Sequence, residues 1–299
     1  MPWEDIKLND GRKIPGVSFG SSRHSGQDTA ATVDEAIHAG FDSIDTAQIY
    51  RSEGAVGRAI KESGIARDDL WITTKWSGLK PAEDSIKDSL EALGTDYVDL
   101  YLIHFPGVAK DDIPGAWEKL EKFKKEGHAK SIGVSNFDIS QLKELLASAH
   151  IKPAVNQIVF HPNVLPTQAP LLEFLQKHNI AVEGYSPLAP LWQDKGTPVF
   201  KVVEGISKDL GIPVEQVLLA WSRAKGVIPV TSSSSKDRIE SFIAAGDVKL
   251  SDEQVKTIDK AGYKGHKQAE LRRKATVAAK WLAAAGLVSY WAFSKLSQV

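Results

Sequence analysis

The 299-residue sequence has no cysteine and one methionine. Without cysteine there can be no disulfide, no thiolate metal site and no cysteine nucleophile. Net charge is nearly missing as well: 37 Lys and Arg against 38 Asp and Glu leave −1, which argues against a nucleic-acid partner, since such partners usually select a basic excess. No G-x-G-x-x-G occurs, which removes the usual first turn of a doubly wound dinucleotide-binding sheet. The start, MPWEDIKLNDGRK, lacks an apolar signal core, so no secretory peptide is expected and a cytoplasmic location is. No linker or solenoid repeat interrupts the chain before about residue 262. At 42% hydrophobic and 25% charged, the composition is that of an ordinary soluble globular protein with one substantial core.

What is present is organised around Gly40 to Glu53, GFDSIDTAQIYRSE. Phe41 and Ile44 make a short half-apolar run after a glycine, which reads as a strand. Ser52 is expected to cap a helix through GAVGRAIKES that stops near Gly64. Asp45 then stands at the carboxyl end of a strand, with Tyr50 in the loop beyond it. The next two apolar strands end in the same way, LWITTK on Lys75 and VDLYLIH on His104.

The rest of the chain alternates. Residues 6–14 read as a hairpin turning at Asn9-Asp10-Gly11, and PGVSFG as the first barrel strand. A helix through TAATVDEAIHAG stops at Gly40. Further helices are predicted at about 82–93, 115–126, 139–149, 168–178, 198–210 and 214–225, with strands near 129–134, 154–159, 180–185 and 227–230. About eight strand–helix repeats in roughly 240 residues is the count of a (β/α)8 TIM barrel, whose chemistry sits at the carboxyl ends of the strands.

An acid, a phenol, an ammonium and an imidazole delivered by three successive strands are more than packing requires. A phenol has a pKa of about 10 and donates a proton poorly near neutrality unless a cation assists it. Lys75 can be that cation, Asp45 can keep it charged, and His104 can orient a carbonyl oxygen beside the phenol. The set suits protonation of an oxygen that gains negative charge, as in reduction of an aldehyde or ketone by an external hydride. His161-Pro162 has no second ligand at metal-binding spacing, so no metal is expected and a barrel metallohydrolase is disfavoured.

Over roughly residues 4–262 the chain resembles the aldo-keto reductases, NADPH-dependent barrels, with a likeness to fungal-type aldehyde and ketone reductases. GFDSIDTAQIYRSE, ITTKW, DLYLIHFP and GVSNF carry the resemblance. It implies that Asp45, Tyr50, Lys75 and His104 are the catalytic tetrad and that NADPH/NADP+ is the cofactor. By the same likeness Ser135, Asn136 and Gln157 hold a carboxamide, Tyr185 stacks on the nicotinamide, and Ser186 and Leu188 approach the pyrophosphate. Ser21, Thr231, Ser232, Ser233 and Arg238 complete the cofactor set, with Arg238 suited to a 2′-phosphate. Trp76, Phe105 and Trp192 are expected to line the substrate pocket, and Ser22 replaces a tryptophan common in relatives. Other departures are Asp42 where a basic residue is common, Ser52 for asparagine, Val230 for lysine and Phe242 for asparagine. The expected partner is a small carbonyl substrate and the expected assembly a monomer or homodimer. The alternative reading is a cofactor-binding regulatory subunit of the same fold with little turnover.

Residues 263–299 are read as a separate, helical C-terminal tail after a barrel domain of residues 1–262. Arg272, Arg273 and Lys274 precede Ala275 to Ser294, whose only charge is Lys280. About 20 apolar residues can span a bilayer, but the uncharged part, Trp281 to Ser294, is shorter and rich in Ala and Gly. A helix docked on the barrel or a partner is therefore favoured over membrane contact.

Overall fold

Eight strands, each too short to stand alone, close on one another so that no edge is left unpaired. In chain order after a hairpin they are β3 (Ser18–Gly20), β4 (Ser43–Asp45), β5 (Trp71–Trp76), β6 (Val98–Ile103), β7 (Ala129–Ser135), β8 (Val155–Val159), β9 (Ala181–Tyr185) and β10 (Val227–Thr231). All neighbours are parallel, and β10 pairs with both β9 and β3 to complete the barrel. The structure, a computed structural model, describes residues 2–22, 29–109, 112–193 and 196–271. It is the (β/α)8 barrel that the alternation predicts.

Four helices fall close to their expected ends because each carries its own stop signal. Gly64, Gly94, Gly127 and Gly211 all end helices in the left-handed conformation. The helix Ile139–Ser148 opens on a capping box, in which Asp138 and Gln141 each bond the other's backbone N–H at 2.9 Å. That cap closes the short loop that runs from Ser135, the last residue of β7, through Asn136. The helix predicted from residue 168 begins earlier, at Leu165, since the first turn tolerates Pro166. Ser52 occupies the N-cap of the helix Glu53–Ser63 but makes no capping bond. Its hydroxyl lies 3.0 Å from Ser21 Oγ and 3.1 Å from Thr46 Oγ1, so packing against β3 and β4 overrides the cap.

The hairpin pairs β1 (Ile6–Lys7) with β2 (Lys13–Ile14), Ile6 opposite Ile14. Gly11, at φ +89°, supplies the left-handed residue of its turn. Leu8 and Ile14 join Trp71, Leu100, Leu102, Val155 and Ile228 in a buried apolar cluster. That cluster seals the amino-terminal end of the barrel, and each fully buried aliphatic chain in it contributes about 1.5–3 kcal/mol. Gly133 is needed in the wall, where a Cβ would stand 2.5 Å from the Val155 carbonyl oxygen.

At the other end of the sequence a helix runs without a break from 252 to 271, across the boundary expected at 262. Residues 272–299, and with them the stretch 275–294, lie outside the described residues. Among the described residues no helix is long and apolar enough to cross a membrane.

Candidate active site

β4, β5 and β6 bring the four ionisable groups to the carboxyl end of the barrel. Asp45 is the last residue of β4, and Tyr50 ends a single 3-10 turn, Gln48–Tyr50, after which Arg51 adopts φ +56°. That left-handed residue turns the chain back into the next helix, so the phenol is held over the barrel axis. Lys75 is fully buried, and its Nζ donates to Asp45 Oδ1 at 2.6 Å and to the Thr46 carbonyl oxygen at 2.8 Å. Nζ also lies 5.2 Å from the centroid of the Tyr50 ring.

Burial pulls the Lys75 ammonium toward neutrality, but Asp45 and the other negative neighbours outweigh it and raise its pKa above the ordinary lysine value. Tyr50 shows the reverse balance. Burial raises the phenol above its ordinary pKa more than Lys75 lowers it, so the net lowering expected from the sequence does not occur in the free protein. The phenol is therefore protonated near neutrality, with the Lys75 ammonium beside its ring.

His104 follows β6. Burial, then the Lys75 charge, lowers its pKa to about 3, so the imidazole is neutral near pH 7. Ser77 accepts from the Ile49 N–H at 3.2 Å and lies 3.1 Å from His104 Nδ1. The serine hydroxyl can then give its proton to Nδ1, which leaves Nε2–H to face Tyr50 Oη, 3.4 Å away.

These groups open into a cavity of about 270 Å³ lined by Asp45, Tyr50 and His104. Ser22, Phe105, Ser135, Asn136, Gln157, Tyr185, Ser186, Leu188, Trp192, Thr231 and Ser232, all candidates from the sequence, also line it. Asn136 and Ser186, non-glycine residues at φ +62° and +56°, mark backbone held in a costly conformation at the cavity rim. Asn136 donates to Ser135 Oγ at 3.0 Å and to the His104 carbonyl at 3.2 Å, and accepts from Tyr185 Oη at 2.9 Å. The Tyr185 ring is thereby clamped at the cavity wall.

Four expected residues lie elsewhere. Trp76 follows Lys75 on a strand, so its side chain takes the opposite face and lines an outer groove with Lys80 and Lys119. Ser21 turns its hydroxyl into the wall, bonding Thr46 Oγ1 at 2.9 Å. Ser233 accepts from Ser235 N at 3.1 Å within its own turn. Arg238 is exposed in the first turn of the helix Lys236–Ala244, away from the cavity lining.

Two contributors escaped the sequence reading. Ser77, two residues beyond Lys75, orients His104. Glu183 sits fully buried beneath the cavity, two residues before Tyr185 and so on the same face of β9. Gln157 Nε2 donates to Asp45 Oδ2 at 2.7 Å and to Glu183 Oε2 at 2.9 Å. Its Oε1 is then the polar end of the side chain left for the cavity.

Residues 16–262 match the profile of the Aldo/keto reductase family. A glyoxal reductase of Bacillus subtilis is 39% identical over 261 residues, covering 86% of this chain and 92% of that one. An NAD/NADP-dependent indole-3-acetaldehyde reductase of Schizosaccharomyces pombe is 37% identical over 270 residues, covering 86% and 95%. Among solved structures, an aldo-keto reductase of Bombyx mori in complex with NADP superposes with a TM-score of 0.79 at 34% identity, covering 86% of this chain and 92% of that one. The chain belongs to the aldo/keto reductase family, and is an oxidoreductase of carbonyl compounds.

Proposed function

We propose that the chain reduces aldehydes and ketones to alcohols with NADPH, and that Tyr50 donates the proton. The observation that supports this most is the convergence of Tyr50 Oη and His104 Nε2, 3.4 Å apart, on a cavity whose floor holds the Lys75–Asp45 pair.

The chain's own residues fit the cofactor. Gln157 offers Oε1 as an acceptor for a carboxamide N–H, because both of its amide hydrogens are taken by carboxylates. The Tyr185 ring, fixed by Asn136, provides a flat wall for stacking. Thr231 and Ser232 line the far side of the same cavity, and beyond them Arg238 stands at a helix N-terminus, where backbone N–H groups and a guanidinium favour phosphate. Bound NADPH supplies the hydride to the carbonyl carbon.

His104, neutral and donating through Nε2, orients the carbonyl oxygen beside Tyr50 Oη. As that oxygen gains negative charge, Tyr50 gives up its proton. Lys75 stabilises the phenolate that remains, and Asp45 keeps Lys75 charged for the purpose. Phe105 and Trp192 supply an apolar mouth that limits water around the reacting carbonyl.

The test is NADPH oxidation followed with a panel of aldehydes and ketones, repeated with NADH. Steady turnover supports the reading. Nucleotide binding without turnover across the panel would overturn it in favour of a cofactor-binding regulatory subunit.

A further inference from the structure

Beneath Tyr50 the barrel interior holds two carboxylates and one ammonium around a single amide. Asp45 has both oxygens paired, Oδ1 with Lys75 at 2.6 Å and Oδ2 with Gln157 at 2.7 Å. Glu183 has only Oε2 paired, with the same Gln157 nitrogen at 2.9 Å. Its Oε1 is buried with no hydrogen-bond partner among the described residues, and the whole residue is 0% exposed. The two carboxylates share one amide nitrogen and only Asp45 is paired with the ammonium, so ionisation of both would leave one negative charge in excess.

We infer, on the reductase reading above, that Glu183 is a positioning residue held as the neutral acid in the working enzyme. As such it keeps the Lys75–Asp45 pair electrically balanced and anchors the Gln157 amide with its oxygen toward the cavity.

The location of the proton follows from the pairing. A carboxylate whose second oxygen meets nothing polar is costly to ionise in the interior, whereas Asp45 is compensated at both oxygens. The groups facing Glu183 can be named element by element. β4 brings Asp45 and β5 brings Lys75, which leads on to Tyr50. The flanking strands β8 and β10, VNQIV and VIPVT, bring the Gln157 amide and no titratable group. On β9 itself the nearest titratable side chain is Tyr185. Burial first, then the Asp45 charge, push the Glu183 carboxyl up to about 7, so it loses its proton around neutrality.

Ionisation there would add a negative charge beside Lys75, hold the ammonium more tightly and weaken its help to the phenol. Reduction should therefore slow as pH rises through neutrality, for a reason that lies two layers below the reacting atoms. The same charge would leave the Gln157 position set by two anions, which ties nucleotide affinity to pH as well.

Two measurements test this on the full chain. In pH-difference infrared spectra without nucleotide or substrate, a protonated-carboxyl C=O band should vanish near neutrality. Carbon-isotope-labelled glutamate should move that band, and Glu183→Gln should abolish it. If no band responds to the glutamate label, the inference is wrong. In turnover with NADPH and a carbonyl substrate, the wild-type kcat should fall about fivefold from about pH 6 to about pH 8, while the Glu183→Gln ratio changes by less than about twofold. Matching profiles for the two proteins would overturn it. A wild type that binds NADPH but reduces nothing would sink the reductase reading instead, and the infrared band would still report the proton.

Discussion

Tyr50 Oη and His104 Nε2 stand 3.4 Å apart with their rings at 85°, edge to face. Near pH 7 the phenol is protonated and the imidazole neutral, so the two groups are chemically distinct. Tyr50→Phe keeps the ring and removes the proton. NADPH binding, followed by fluorescence titration, should be retained while kcat falls by ~10²–10⁴-fold. Near wild-type turnover in the variant would dismiss Tyr50 as donor.

Lys75→Met should match that loss in rate but differ in stability. It strands the Asp45 carboxylate in the interior, where removing one partner of a buried pair costs about 3–5 kcal/mol. Chemical denaturation should show a drop of this order for Lys75→Met and little change for Tyr50→Phe. Equal stabilities would mean that the pair is not a structural unit.

Arg238 lies exposed at the start of its helix, so its loss should leave the free protein's thermal stability unaltered. Arg238→Ala should weaken NADPH by roughly 1.5–3 kcal/mol, the worth of a charge-assisted hydrogen bond, and leave NADH nearly untouched. Calorimetric titration with both nucleotides decides the matter. Parallel losses would contradict contact with the 2′-phosphate.

Asp42 gives a pH test remote from catalysis. Burial first, then the Asp5 charge, raise its carboxyl to about 6 from an ordinary value of 3.8. Between those two values the folded chain binds the proton and the unfolded chain does not, so this group's contribution to stability declines as pH rises through the window. Asp42→Asn removes the decline. It should raise Tm by roughly 2–4 °C at pH 8 and change it little near pH 4. A gain of the same size at both pH values would point to packing instead of charge.

The barrel was legible because its signals are local and repeated. A left-handed glycine ends four of the helices, each strand is a short apolar run, and the alternation leaves one closed topology. The placement of Asp45, Lys75 and His104 was legible too, since each sits at or beside the carboxyl end of a strand, with Tyr50 in the turn after β4. Side-chain direction was harder. Trp76 was expected at the pocket although a count of one from Lys75 sends it to the other face, and the same count of two from Tyr185 could have found Glu183. Ser21 and Ser52 were read as ligand and cap, but only the packed structure shows that they bond Thr46 and each other. The turn Gln48–Tyr50 and the left-handed Arg51 carry no residue type that announces them.

The apolar floor built by the hairpin has a kinetic consequence. With Leu8 and Ile14 buried at one end of the barrel, substrate, product and water would all reach the candidate site from the other, carboxyl-terminal end. On the proposal that Tyr50 is the proton donor, each proton it gives up would be replaced from solvent at that end or relayed through His104 and Ser77, whose hydroxyl lies 3.1 Å from His104 Nδ1. Recharging of the phenol would then be coupled to product departure, and a solvent isotope effect on the release step, absent from a single turnover, would be its signature.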